Sequence, residues 1–157
     1  MSDTPQALAD RLNEEGTRVI DFFNNLSLEQ WESISNIKDG NWTMHDLLAH
    51  FVSAESGRQK LIVDISSGGN GAPTDFEIDR FNQQEVDRLS SKSNANLLSL
   101  FSLERMHLVE IVAAMKLEDL DRIGNDPFLG EVPLREIIKL TYRHLQIHLR
   151  DARRRLP

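Results

Sequence analysis

Apolar residues recur every three or four positions along almost the whole chain, and no segment alternates convincingly with a period of two. A period of 3.6 places side chains on one face of an α-helix, so the chain reads as a succession of amphipathic helices. The first opens with Thr4 as N-cap and Pro5 in the first helical position, a favoured start because an N–H there would go unpaired anyway. Leu8, Leu12, Val19, Phe22, Phe23 and Leu26 form its stripe, despite Gly16 in the middle. Ser27 to Gln30 reads as a capping box opening a short helical turn that carries Trp31 and Ile34. Lys38-Asp39-Gly40-Asn41 reads as a turn.

A second long helix is predicted from Thr43, where Asp46 closes another capping box. Its stripe is Leu47, His50, Phe51, Ala54, Leu61, Ile62 and Ile65, and it stops in the Gly/Ser-rich run Ser66 to Pro73, read as an exposed loop. A third helical region spans about Phe76 to Met115, bent or interrupted at Ser90 to Asn94. Its second part carries Leu97, Phe101, Leu108, Ile111, Val112 and Met115 on one face. Asn125-Asp126-Pro127 and Gly130 read as a turn. The last helix enters through Val132-Pro133 and turns Leu134, Ile137, Ile138, Thr141, His144, Leu145 and His148 inward. Arg150, Arg153, Arg154 and Arg155 crowd its C-terminus, where cations complement the helix dipole. The expected fold is all-α, a single-domain four-helix bundle over residues 1–157 with a short extra helix.

At 157 residues the chain is long enough to bury a real core. A net charge of −7 argues against non-specific nucleic-acid binding, which needs a basic footprint. The chain has no cysteine, which excludes a disulfide framework, a thiolate metal site, an iron–sulfur cluster and a cysteine nucleophile. The N-terminal stretch lacks the basic start and apolar core of a signal peptide, and no apolar run is long enough to cross a bilayer. The expectation is a soluble, cytoplasmic protein without membrane or nucleic-acid partners.

The candidate chemistry lies in the five histidines. His144 and His148 stand four apart on the last helix, which stacks their side chains on one face. Both continue the inward stripe of Leu134, Ile137 and Thr141, and His50 follows Leu47 by three, so it too faces the interior. Three imidazoles in an apolar core need compensation. A divalent metal compensates all three at once, and three histidines with a position left to water match a catalytic zinc-type site. The plainer alternative is a set of histidines satisfied by hydrogen bonds. His45, in the first turn of its helix, reads as an exposed polar residue, and His107, one position off the main stripe, as a candidate fourth ligand.

The run Gly40-Asn41-Trp42-Thr43-Met44-His45-Asp46-Leu47-Leu48-Ala49-His50-Phe51, followed by the helical pair His144 and His148, resembles the DinB-like family, also called the damage-inducible or YfiT-like superfamily. The resemblance spans nearly the whole chain in element order and spacing. It implies an up-down-down-up four-helix bundle, often a homodimer, holding one divalent metal through His50, His144 and His148. Zinc is the first expectation for that metal, with nickel, iron or manganese next. Relatives of this kind include mycothiol-dependent maleylpyruvate isomerase and S-transferases that use bacillithiol or mycothiol. In the isomerase branch a glutamate stands where this chain has His144, a departure that counts against isomerase activity.

Other motif classes are empty. Gly68-Gly69-Asn70-Gly71 lacks the lysine and preceding strand of a phosphate loop, and there is no G-x-S-x-G elbow. Glu77, Asp79, Glu85 and Asp87 read as a solvated helix face, with Asp79 and Asn82, beside Phe76 and Phe81, as candidates for a pocket mouth. Trp31 and Trp42 read as core anchors. Two functions follow from different classes. The first is a metal-dependent enzyme acting on a small molecule, either a hydrolase or a transferase of a small-molecule thiol, since the chain supplies no thiol itself. The sequence names no separate general base, with Tyr142 and Glu55 the candidates it offers. The second is a non-catalytic bundle with structural histidines and an apolar dimer face.

Overall fold

The computed structural model describes residues 3–35 and 41–157, so the turn expected at Lys38-Asp39-Gly40 lies outside the described residues. The helices are α1 (Pro5–Asn24), α2 (Leu28–Glu32), α3 (Met44–Ser66), α4 (Ile78–Leu89), α5 (Asn94–Ala113) and α6 (Leu134–Arg155). Local chemistry sets their starts. The Thr4 hydroxyl accepts from the Ala7 N–H, and reciprocal capping boxes close at Ser27/Gln30 and Thr43/Asp46. The third helical region is broken at the polar patch, where the Ser93 hydroxyl caps α5.

α1, α3, α5 and α6 form the four-helix bundle: α1 packs on α5 and α6, and α3 on α5 and α6, with the extra helix α4 lying along α3. Two apolar clusters fill it. One is aromatic-rich and joins Phe23, Phe51, Phe101 and Leu145; the other is aliphatic and joins Leu12, Ile62, Leu108 and Ile137. Between them each helix contributes polar residues: Glu15 from α1, Ser53, Glu55 and Arg58 from α3, Arg105 from α5 and Thr141 from α6 are all buried. A polar belt therefore divides the core. Gly16 belongs to this belt, because a Cβ there would come within 2.7 Å of Arg105 Cγ. No described helix is long and apolar enough to cross a membrane.

Three sequence expectations need correction. Ile34 does not belong to α2, which ends at Glu32; Ser33 turns extended, and Ile34 pairs with Thr43 in an isolated bridge, 41% exposed. The segment read as a turn at Asn125-Asp126-Pro127 and Gly130 is an antiparallel hairpin, β1 (Ile123–Asp126) and β2 (Gly130–Pro133), entered after a 3₁₀ turn at Leu117–Asp121. Strands of four residues are too short for a period of two to register in the sequence. The Gly/Ser-rich run after α3, read as an exposed loop, is exposed at Ser67, Gly68, Asn70 and Pro73 but half-buried at Gly69, Gly71 and Ala72, because it is pinned to this hairpin. Asn125 donates its N–H to Asn70 O at 2.8 Å and accepts from Ala72 N at 2.8 Å. Gly71 is required there: its φ is +91°, and a Cβ would sit 2.5 Å from Asn125 O.

Candidate metal centre

His50 lies two turns into α3, between core residues Leu47 and Phe51, and its capped N-terminus fixes which face it occupies. α6 delivers His144 and His148 from successive turns across the bundle. One nitrogen from each of the three rings lies within 4.8 Å of the other two. The ring centroids of His50 stand 5.5 Å from His144 and 5.4 Å from His148, and the Nε2 atoms of His144 and His148 approach to 2.9 Å. Aromatic side chains enclose the cluster: Trp42 lies 5.2 Å from His50, Phe51 6.0 Å from His148, and Phe128 5.9 Å from His144. The Trp42 indole N–H donates to Gln83 Oε1 at 3.1 Å, which ties this wall to α4.

Burial holds two of the rings, His50 and His144, neutral. Desolvation, reinforced by the neighbouring His144 and His148, pushes His50 well below the ordinary histidine range. His144 falls to about 3, first through burial, then through His148 and Arg58, with Asp126 acting in the opposite direction. Neutral imidazole is the ligating form, and it suits zinc, nickel and iron. His50 is 3% exposed, and its Nδ1 is buried without any hydrogen-bond partner. An unmatched buried nitrogen beside two further imidazoles is a donor set that a divalent cation fits.

Two cavities meet at the histidines. One, of about 390 Å³, runs between α3, α4 and the hairpin and reaches His50 and His144. The other, of about 660 Å³, is lined by all three histidines together with Trp42, Asp79, Asn82 and Asp151. Phe128 at the hairpin tip borders both. Its place is set by Asp126, which is 1% exposed, pairs with Arg58, and accepts the N–H groups of Phe128 at 2.8 Å and Leu129 at 2.9 Å.

The structure thus brings His50, His144 and His148 together and lines the adjoining cavity with Asp79 and Asn82. It takes the other candidates elsewhere. His107 is exposed on α5, outside the cluster. His45 is half-buried rather than exposed: its Nδ1 lies 2.5 Å from Asn94 Oδ1 and its Nε2 3.2 Å from Ser90 O, which fastens α3 to the α4–α5 connection. Glu55 is no general base, because both its oxygens accept from Arg105, at 2.7 and 2.5 Å. Tyr142 is buried in the aliphatic cluster with the Arg11 guanidinium 5.6 Å over its ring. Trp31 and Trp42 are buried, 8% and 7% exposed. Sequence reasoning missed Ser53, Arg58, Asp126 and Phe128. Only the step of three from His50 to Ser53 was available as a signal.

The family model of the DinB superfamily matches residues 11–152. Among curated proteins none matches the chain. Among solved structures the chain is similar to YfiT from Bacillus subtilis, described as a probable metal-dependent hydrolase with an unusual four-helix bundle topology. The identity is 12% and the TM-score 0.77, over 96% of this chain and 84% of that one. At that identity the likeness speaks for the fold, while the family match covers nearly all of the bundle. The chain belongs to the DinB superfamily.

Proposed function

We propose that the protein is a divalent-metal-dependent hydrolase of a small molecule, with the metal held by His50, His144 and His148. The observation that carries this reading is the convergence of three buried-side imidazole nitrogens within 4.8 Å, one ring having an unmatched buried nitrogen, where two cavities meet. The likeness to YfiT, described as a probable metal-dependent hydrolase, supports it. A divalent ion held there would act as a Lewis acid, lowering the pKa of water toward ~7 and polarising a substrate carbonyl.

The chain's own residues supply the rest. Burial keeps His50 and His144 neutral, so neither has a proton to lose before ligation at neutral pH. Trp42 and Phe128 cover the cluster and restrict water. Asp79 and Asp151 are the carboxylates lining the same cavity as all three histidines, and they are the groups placed to take up a proton there.

Elemental analysis of the purified protein tests the reading, with one divalent metal per chain expected and none in His148→Ala. Hydrolysis of a panel of small esters and amides should be lost on chelation and restored by metal. Turnover that appears only when a low-molecular-weight thiol is added would reassign the reaction to thiol transfer at the same metal. Absence of metal from protein prepared without chelator would leave a structural bundle.

A further inference from the structure

The 390 Å³ cavity carries chemistry that metal ligation leaves unused. Leu61, Pro73, Phe76, Phe81 and Phe128 wall it. Of the charged side chains on its lining, Arg58 pairs with Asp126 and Glu85 with Arg88 at 2.6 Å, Asp64 accepts the Gly71 N–H at 3.0 Å, and Lys60 is exposed. Ser53 is different. It is 4% exposed, lines this cavity one turn beyond His50, and its Oγ is buried with no hydrogen-bond partner. An unpaired buried hydroxyl destabilises a fold, and an occupant of the cavity offering a polar group would recover that loss.

We propose that this cavity is the subsite for the body of the substrate. Its ligand is a neutral small molecule with an aromatic or branched apolar body and one hydrogen-bonding group that pairs with Ser53 Oγ beside His50. The buried charge on its wall, Arg58, is already paired with Asp126, so an ionic body would be desolvated there without a partner. The tilted pair Phe76 and Phe81, with centroids 5.3 Å apart, favours an aryl group. A volume of about 390 Å³ holds on the order of a dozen water-sized groups at ~30 Å³ each. The role as a substrate subsite rests on the hydrolase reading; the binding does not.

The test uses chelator-treated, metal-free protein titrated calorimetrically with ω-phenylalkan-1-ols, from benzyl alcohol to 5-phenylpentan-1-ol. Affinity should rise about fourfold per methylene until the cavity is filled, then level off. A series with flat affinity overturns the proposal. Ala54→Trp, which fills the cavity from α3, should abolish the rise, and Phe81→Ala should extend it to longer alcohols, so a folding defect cannot imitate both. Ser53→Ala should weaken alcohol binding about fivefold, leave ethylbenzene binding unchanged, and keep or raise Tm. A lowered Tm with unchanged alcohol affinity would make Ser53 structural and overturn its role. Acetohydroxamate binding to metal-loaded protein reads the histidine site separately. If it fails while the alcohol series rises, the hydrolase reading falls and the cavity stands; the reverse pattern removes the cavity alone.

Discussion

Two polar clusters interrupt the apolar interior, little more than one turn apart along α3, and they are built in opposite ways. At Glu55 the groups are complementary. The Arg105 guanidinium donates to both Glu55 oxygens and, at 2.7 Å, to the Leu12 carbonyl, while Gly16 makes room for its stem. At His50 the groups are alike: three rings of one chemistry crowd together, and a buried nitrogen is left unmatched. The first cluster is closed and has nothing to gain from a ligand. The second is incomplete as protein alone. Burial of a polar group therefore does not by itself mark function in this bundle.

The largest expected effect breaks the closed cluster. Arg105→Met leaves the Glu55 carboxylate buried and unpaired, and should cost about 3–5 kcal/mol in denaturant unfolding. The double variant Arg105→Met/Glu55→Leu removes both charges and should recover most of that loss. Equal losses in the two variants would show that the pair does not act as a unit.

The open cluster should respond to what is added. A metal a hundredfold above its Kd stabilises the folded state by ~2.7 kcal/mol, which for a domain of this size raises Tm by about 5–10 °C. Chelation should lower Tm and zinc or nickel restore it. His50→Ala, His144→Ala and His148→Ala should each abolish the restoration, and exposed His107→Ala should not. Restoration that survives all three would separate the histidines from the metal.

The clusters should also differ in their dependence on pH. In the metal-free folded chain His144 stays neutral down to about 3, and His50 also titrates well below its ordinary range. In the unfolded chain both take up protons near ~6.5. Below that point the unfolded state binds more protons, so stability falls with falling pH, by up to ~1.4 kcal/mol per unit for each histidine. The fall continues for His144 to about 3; above pH ~6.5 this contribution is constant. His144→Asn should flatten the slope in pH-dependent melting, and an unchanged slope would remove His144 as its source.

The smallest effect sharpens the contrast from outside both clusters. His45→Ala should cost ~1 kcal/mol through its lost contacts to Asn94 and the Ser90 carbonyl, and leave metal restoration intact. Loss of restoration would extend the site to His45.

What the sequence determined by itself is what helix geometry makes local. Caps at Thr4, Ser27 and Thr43 start helices through groups three residues away, and the 3.6-residue period puts His50, His144 and His148 on inward faces. Position on a face is readable from neighbours in the chain. The partner across the face is not. Glu55 was legible as a carboxylate, yet only the docking of α3 against α5 brings Arg105 to it and ends its candidacy as a base. The hairpin escaped the sequence for the same reason. Its strands hold four residues each, and part of its support comes from Asn70 and Ala72, far away in the chain. Nor does the sequence reveal that Ser53 lacks a partner, since every serine carries the same hydroxyl. Only the packed interior decides which hydroxyl is left unanswered, because matching is a property of tertiary contacts and periodicity a property of the chain.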